Sequence, residues 1–358
     1  MNARTLELWI ATRKGVFIVT RDHPRGEWQI EGPGLPGYEV YHVALDPDDE
    51  GAAYAAANHV VWGPHVFRTV DRGATWSMVD APRFPNEIDR EVRALWHLAP
   101  GPAPATGARR WHLGTDPGAL FISDDPVAGW DFVPGLEHHP TRRAWQVARG
   151  GLPLHSIQID PRDADRVFVA VSAGGCYRTD DGGATWHPIN DGIRAGYLAD
   201  PEGPAGHNPH ALRLHPADPD RLYRQDHCGV YVSRDRGNSW SEITEGLPSE
   251  FGYGVALDPD DPNRAWVIPE ESSHMRCVCE GRLRVYETTD GGASWTARTD
   301  GLPQRHAYVS VLRDGLTASS SGVVFGTTTG QVYASPDGSS WETLPGLFPT
   351  VLAVSIRP

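Results

Sequence analysis

Three histidines in this sequence are candidate ligands of a metal ion. His155, His210 and His227 come from successive stretches of the chain, each where a short predicted strand begins or has just ended. Imidazole nitrogens, together with a carboxylate, bind divalent transition metals such as Zn, Mn or Fe. We therefore expect these histidines to hold one such ion. The alternative is that the rings bond to backbone or water in a polar channel, because no compact motif such as H-E-x-x-H supports the assignment.

Glu270 is the candidate catalytic carboxylate. Like Gln225 one unit earlier, it places a polar side chain at the end of an apolar predicted strand. A carboxylate there either completes the metal coordination or acts as general base on metal-bound water, whose pKa the ion lowers toward ~7. Arg93 and Arg13 are expected on the opposite side of the same opening, where guanidinium groups suit an anionic group on the substrate.

Other side chains are expected to line the same opening, since they occupy matching strand starts and loops. A concave opening of this kind is where a ligand buries most of its surface. The set comprises Tyr41, His59, Gln225, Asp226, Tyr253 and His306.

A repeated turn determines which elements carry these residues. Five segments share the pattern Ser/Thr-x-Asp followed by Gly or Ser and then Trp: residues 69–76, 179–186, 233–240, 288–295 and the shortened 335–341. Two degenerate copies cover residues 20–28 and 123–130. The Asp carboxylate of such a turn accepts hydrogen bonds from its own backbone, and Gly supplies a positive φ. Trp buries a large area between neighbouring units.

The repeat predicts the fold class. Its tryptophans stand 46 to 56 residues apart, so seven units account for residues 1–358 as a single domain. Short alternating runs between regularly spaced turns are typical of strands. We therefore expect an all-β, seven-bladed β-propeller of four-stranded blades. The first unit lacks its inner strand, and residues 350–356 are expected to supply it, which closes the ring and leaves no open sheet edge.

The pattern resembles the Asp-box (BNR) repeat of sialidase-like β-propellers over essentially the whole chain. Residues 225–231, 269–272, 281–286 and 326–333 are similar to bacterial seven-unit proteins often labelled sialidase-like or BNR glycosyl hydrolase. The resemblance implies a shared central pocket. It also implies that the Asp-box aspartates are scaffold on the face away from the ligand.

The resemblance brings glycoside hydrolysis into consideration. Sialidases of this kind are expected to use three arginines for a substrate carboxylate, a Tyr–Glu nucleophilic pair and an Asp acid. Tyr41 or Tyr253 with Glu270 would form the pair, and Arg13 and Arg93 would supply two arginines. The chain departs from that family because it lacks the FRIP-type motif and has seven units instead of six blades.

Composition excludes several partners. With 32 basic and 46 acidic side chains the formal charge is −14, so neither nucleic acid nor an anionic membrane is expected to bind. Four cysteines in a long chain do not indicate a disulfide framework. No signal-type apolar segment is visible, and a cytoplasmic location is expected. The oligomeric state cannot be read from the sequence.

Three functions remain open at this point. The first is a metal-dependent hydrolase or lyase acting on a small polar or anionic molecule in the central pocket. The second is a sialidase-like glycoside hydrolase. The third is a non-catalytic binding or assembly propeller, and the balance favours an enzyme.

Overall fold

Seven four-stranded sheets make up the fold. The computed structural model describes residues 6–23, 26–148, 150–201 and 203–357. Each sheet is antiparallel, and in six of the seven its four strands follow one another along the chain. The predicted seven-bladed, all-β propeller is therefore confirmed. No helix in the described residues is long and apolar enough to cross a membrane.

The strands are numbered in chain order. Blade 1 contains β1 (Leu6–Thr12), β2 (Gly15–Arg21), β3 (Gln29–Gly34) and the C-terminal β28 (Val351–Arg357). Blades 2 and 3 contain β4 (Glu39–Leu45), β5 (Ala53–His59), β6 (Gly63–Thr69), β7 (Ser77–Val79), β8 (Ala94–Pro100), β9 (Trp111–Asp116), β10 (Ala119–Ser123) and β11 (Asp131–Phe132). Blades 4 and 5 contain β12 (Leu154–Asp160), β13 (Asp163–Val171), β14 (Gly175–Thr179), β15 (His187–Pro188), β16 (Pro209–Leu214), β17 (Leu222–Asp226), β18 (Gly229–Ser233) and β19 (Ser241–Glu242). Blades 6 and 7 contain β20 (Gly252–Leu257), β21 (Ala265–Pro269), β22 (Val285–Thr288), β23 (Thr296–Arg298), β24 (Leu316–Ser319), β25 (Gly322–Gly326), β26 (Val332–Ser335) and β27 (Glu342–Thr343). Two short 3₁₀ turns cover Pro140–Ala144 and Cys279–Gly281.

The C-terminal strand closes the ring as predicted. β28 pairs antiparallel with β1, with Trp9 opposite Ser355. Ser355 Oγ donates a 2.6 Å hydrogen bond to the Val43 carbonyl of blade 2, and Arg357 forms a 2.7 Å ion pair with Glu7. Closure of this kind satisfies the backbone groups that an open edge would expose.

The core lies between adjacent blades. In one cluster Phe168 and Cys176 of blade 4 pack against Leu212 and Tyr231 of blade 5, with Trp240 beside them. Strands covered on both faces consist of nearly continuous apolar residues. Each large side chain buried in this way contributes about 1.5–3 kcal/mol, so the repeating apolar runs hold the ring together.

The Asp-box turns have the local structure that the sequence predicts. Asp181 Oδ1 accepts a 2.7 Å hydrogen bond from Thr179 Oγ1 and a 2.9 Å bond from the Thr185 amide. Hydrogen bonds from Thr185 lower the pKa of Asp181 to about 2. Gly183 follows at φ +99°, and Trp186 is buried between blades. The turn therefore stabilises the scaffold.

Strand direction defines two faces of the ring. Each inner strand begins at what we call the upper face, where the loops between second and third strands also lie. The Asp-box turns join third to fourth strands and so lie at the opposite face, here called the Asp-box face. Strand starts from distant blades therefore meet around one opening at the upper face.

Blade 7 departs from the predicted layout. The sequence predicts that its inner strand begins at His306. In the structure this strand, β24, begins ten residues later, at Leu316. His306 is exposed at φ +56° in the irregular segment before the strand. That segment runs toward the axis and brings Leu312, Arg313 and Asp314 to the centre of the ring.

Candidate active site in the central cavity

A cavity of about 420 Å³ opens at the upper face on the axis of the ring. Its walls combine aromatic rings, arginines and two histidines. The principal lining side chains are Arg13, Tyr41, Trp96, Asn208, His210, His227, Phe251, Tyr253, Arg276, Arg313 and Asp314. They come from blades 1 to 3 and 5 to 7, so only the closed ring brings them together.

A recurring β-bulge near the start of the inner strands positions much of this set. On β4, Val40 and His42 oppose consecutive residues of β5, which leaves Tyr41 as the extra residue. Trp96 on β8 and His210 on β16 occupy the same position. A bulge re-aims the side chain of its extra residue.

The same irregularity recurs in three more blades. It places His155 on β12, Leu352 on β28, and Tyr253 with Gly254 on β20 at the bulge. A backbone feature shared by six inner strands thus selects which residues reach the axis. Among them, His155 is the exception that does not line the cavity.

Two pairs of stacked rings form flat walls. Tyr41 and Trp96 lie 4.5 Å apart at an interplanar angle of 20°. Tyr253 and His210 lie 4.9 Å apart at 30°. Aromatic rings combine a large apolar face with polar edges, and they bind flat, partly apolar ligands.

Arg313 is the most unusual charge in the cavity. Its guanidinium carbon lies 5.4 Å from the ring centroid of Trp96 and 5.8 Å from that of Tyr253. Among the described residues it makes no ion pair, its Nε has no partner, and its hydrogen bond to Ser172 Oγ is long at 3.4 Å. Burial lowers its pKa. Such a cation retains donor capacity for an anionic ligand.

Two further arginines share the cavity with Arg313. Arg276 lies over the ring of Tyr253, 5.9 Å from its centroid, and Arg13 lies beside Tyr41 at the loop after β1. Three guanidinium groups therefore surround one opening. The sequence predicts Arg13 at this opening but gives no signal for Arg276 and Arg313.

Tyr41, which lines the cavity, is paired with a carboxylate. The Tyr41 hydroxyl donates a 3.2 Å hydrogen bond to Glu39 Oε2 on the same strand. Burial, followed by the Glu39 charge, raises the pKa of Tyr41 to about 12. The phenol is therefore protonated at neutral pH, with a carboxylate in position to take its proton.

The predicted metal-ligand histidines are not gathered at one point. His210 and His227 both line the cavity with their rings 5.5 Å apart. His155 is buried outside it, with Nε2 3.0 Å from the Pro209 carbonyl and Nδ1 3.1 Å from Ser156 Oγ. Burial lowers the pKa of His210 to about 3. A metal at these three residues remains a prediction that the geometry does not favour.

Glu270 lies behind the cavity instead of in its wall. The side chain is fully buried, and Oε1 accepts hydrogen bonds from Ser310 Oγ at 2.5 Å and from the Val311 amide at 3.2 Å. Burial raises its pKa to about 7. Glu270 thus anchors the segment that leads into Arg313, and its position is that of a supporting residue.

The remaining predicted residues also have supporting positions. Arg93 is exposed and pairs with Asp116 at 2.9 Å. Gln225 donates to the backbone carbonyls of Gly229 and Glu250, and Asp226 accepts from buried Arg224 at 2.8 Å. The His59 ring accepts hydrogen bonds from the amides of the β5–β6 turn, outside the cavity. His306, as described above, is exposed.

Trp96 could have been found from the sequence. Tyr41, His155, His210 and Tyr253 each stand six residues before the proline of an Asp-Pro or His-Pro step. In blade 3 that step is replaced by Pro100-Gly101-Pro102, and the residue six before Pro102 is Trp96. Arg276 and Arg313 lie in irregular segments that follow no repeat, so no comparable signal marks them.

Comparisons with known proteins agree with this architecture. The family model described as BNR/Asp-box repeat matches residues 177–188. An oligoxyloglucan-reducing end-specific xyloglucanase from Emericella nidulans is 26% identical over 286 residues, covering 71% of this chain and 33% of that protein. A xyloglucanase from Paenibacillus sp is 25% identical over 344 residues, covering 89% and 27%. The chain spans about a third of the length of these curated relatives.

A solved structure shows the same fold. The GH74 xyloglucanase from Xanthomonas campestris superposes with a TM-score of 0.65 at 20% identity, over 97% of this chain and 53% of that one. The repeat match at residues 177–188 and the seven blades identify a β-propeller that carries a BNR/Asp-box repeat. Its matched relatives are glycoside hydrolases.

These findings correct one expectation and shift another. The relatives are named for xyloglucan, a polysaccharide, so the expectation of a small-molecule substrate is wrong. They also favour the glycoside-hydrolase alternative over the metal-dependent hydrolase or lyase.

Proposed function

We propose that this protein is a glycoside hydrolase that acts on an oligo- or polysaccharide carrying a carboxylate-bearing sugar. One observation carries the proposal: Arg313, without an ion pair among the described residues, lies between the rings of Trp96 and Tyr253 in a cavity that also presents the Tyr41–Glu39 pair. The glycoside hydrolases among the matched relatives support the reaction class.

The cavity suits both parts of such a substrate. The faces of Tyr41 and Trp96 accommodate a sugar ring, whose C–H groups pack on aromatic surfaces. Arg313, with Arg276 and Arg13, binds the carboxylate, since guanidinium groups donate two parallel hydrogen bonds to it. The cavity is open at the upper face, so the rest of the glycan chain extends into solvent.

Tyr41 is the proposed nucleophile. Its phenol oxygen attacks the anomeric carbon, Glu39 accepts the phenol proton, and the bond to the departing sugar oxygen breaks. The departing oxygen takes its proton from solvent. Water then attacks the anomeric carbon and loses a proton to solvent, the bond from that carbon to Tyr41 breaks, and Glu39 returns the phenol proton to the Tyr41 oxygen. The second displacement restores the original anomeric configuration. Tyrosine in place of a carboxylate nucleophile has precedent among retaining glycosidases.

Asp314 does not serve as the acid in this scheme. It is a carboxylate in the cavity wall, but Arg213 holds it in a 2.6 Å ion pair. Its pKa lies well below the usual range, because the nearby cations outweigh the cost of burial. It therefore stays ionised at neutral pH. Substrates with a good leaving group, which need no acid, are the right probes for a first assay.

The experiment compares two tyrosines of blade 2. Aryl glycosides of acidic and neutral sugars, together with acidic polysaccharides and xyloglucan, are incubated with wild type, Tyr41→Phe and Tyr54→Phe. Tyr54 packs on Trp111 away from the cavity, so its variant is the control. We expect hydrolysis of an acidic glycoside that is lost in Tyr41→Phe alone. Hydrolysis of neutral glycans only would overturn the acidic specificity. Binding without hydrolysis of any probe would support the non-catalytic alternative.

A further inference from the structure

A cluster of two histidines and an aspartate lies on the axis of the ring, below the central cavity. His42 on β4, His97 on β8 and Asp314 before β24 each offer a ligand atom, and these atoms lie within 4.8 Å of one another. They stand at a separate cavity of about 360 Å³, which reaches toward the Asp-box face and is also lined by Gln158, Arg213 and Ser355. Blades 2, 3 and 7 thus meet at one point.

One nitrogen of each histidine ring is buried without a well-formed hydrogen bond. The Nδ1 atoms of His42 and His97 are buried and make no well-formed hydrogen bond among the described residues, and His97 Nδ1 has only a long 3.5 Å contact with Asp314 Oδ2. His97 is only 6% exposed. Buried polar atoms are satisfied in the great majority of folded proteins, and an unpaired one indicates a water or an ion. Two such histidines grouped with one carboxylate point to a shared ligand.

The spacing fits metal coordination. An ion bound at 2.0–2.1 Å in tetrahedral geometry separates its ligand atoms by roughly 3.3–3.4 Å. His97 Nδ1 lies 3.5 Å from Asp314 Oδ2, and all three candidate ligand atoms lie within 4.8 Å of one another. These are the separations of a site that needs only small shifts to close on an ion.

The carboxylate of Asp314 is oriented for this role. Arg213 Nη2 donates to Oδ1 at 2.6 Å, which leaves Oδ2 turned toward His97. Ligating carboxylates are commonly held by such outer contacts, which fix the geometry of the site. The positive charge of Arg213 weakens metal affinity by repulsion, so binding is expected to be reversible and chelator-sensitive.

We propose that His42, His97 and Asp314 bind one divalent transition metal ion in the axial channel. Two imidazoles and one carboxylate with open positions form a donor set that zinc and iron(II) use, and the adjoining cavity leaves room for water as a further ligand. The ion ties together two inner strands, β4 and β8, and the segment that precedes β24. It also holds the Asp314 side chain in place, and so fixes the position of the neighbouring Arg313 in the central cavity. This metal site stands independently of the proposed hydrolysis.

The test measures metal directly. Protein purified without a His tag is stripped with chelator, reloaded with Zn²⁺ or Co²⁺, and analysed by elemental analysis and by the visible absorption of bound Co²⁺. We expect one equivalent per chain and a higher Tm on Zn²⁺ addition. His97→Ala and Asp314→Asn should weaken binding roughly 100-fold. His112→Ala is the control, because His112 is also buried on blade 3 but lies outside the cluster.

Wild-type protein that binds no stoichiometric metal, or that shows neither a Co²⁺ spectrum nor a Tm shift, overturns the site. Equal loss in His112→Ala, or full binding in His97→Ala, overturns the ligand assignment. Circular dichroism shows whether each variant is folded. If a variant does not fold, the Co²⁺ spectrum and metal content of the wild-type protein still test the site. Glycoside hydrolysis plays no part in these readouts.

Discussion

Arg313 lies over the ring of Trp96, with its guanidinium carbon 5.4 Å from the ring centroid. Trp96 lies in blade 3 and Arg313 lies just before the inner strand of blade 7, so only the closed ring brings them into contact. Arg313 is a partly buried cation on an aromatic face and has no ion-paired carboxylate among the described residues. This contact therefore forms the centre of the anion-binding part of the cavity.

Replacement of Arg313 tests that assignment. Arg313→Gln should raise the Kd for an acidic oligosaccharide by about 10- to 100-fold, because a hydrogen bond to a charged group contributes about 1.5–3 kcal/mol. Calorimetric titration measures the change. Arg93→Gln is the matched control, since Arg93 is exposed and pairs with Asp116 outside the cavity. Equal weakening in both variants, or none in Arg313→Gln, would remove Arg313 from the binding site.

Glu270 should make stability depend on pH. Burial raises its pKa to about 7 from an ordinary 4.5, so the folded protein binds this proton more tightly than the unfolded chain does. The stabilisation is complete below about pH 4.5 and is lost as pH rises through 7. It amounts to no more than about 3 kcal/mol.

Glu270→Gln isolates this effect. The amide keeps an acceptor for Ser310 and the Val311 amide but carries no charge. Urea unfolding at pH 5 and pH 8 should show wild type losing stability across that range relative to the variant. Glu271→Gln, at the exposed neighbouring position, should follow wild type. Parallel pH profiles for wild type and Glu270→Gln would contradict the buried, protonated state.

Removal of the last strand should open the ring. Deletion of residues 352–358 removes nearly all of the β28 pairing with β1, together with the Ser355 bond to blade 2. The exposed edge of β1 and the lost packing against it should lower Tm sharply and promote aggregation. Arg357→Gln, which removes only the ion pair with Glu7, should have a small effect. An unchanged melting curve after the deletion would argue against closure by β28.

The sequence predicted the scaffold because its signals are local and repeated. Asp181 and Trp186 lie in a turn whose hydrogen bonds depend on nearby residues only, so the same pattern in other units marks the same structure. The bulged positions follow the same logic, and Tyr41, His210 and Tyr253, which the sequence predicts at the central opening, line the cavity.

The chemistry of the site was harder to predict. Glu270 follows its strand as expected, yet its carboxylate turns into the protein toward Ser310 because the blade 7 segment passes above it. That segment is irregular and places Arg313 and Asp314 at the axis of the ring. It matches no part of the sequence repeat, so the sequence gives no signal for their position. Contacts across the ring depend on such long-range packing, so residue spacing alone does not reveal them.

The most direct test of the proposed function is to trap the glycosyl–tyrosine bond. A fluorinated acidic glycosyl fluoride, which forms such an adduct readily but hydrolyses slowly, is incubated with the protein. Intact mass and peptide mapping then locate the label. We predict one added glycosyl unit per chain, attached at Tyr41 and absent from Tyr41→Phe. Turnover of the acidic glycoside without a label, or a label on another residue, would contradict Tyr41 as nucleophile.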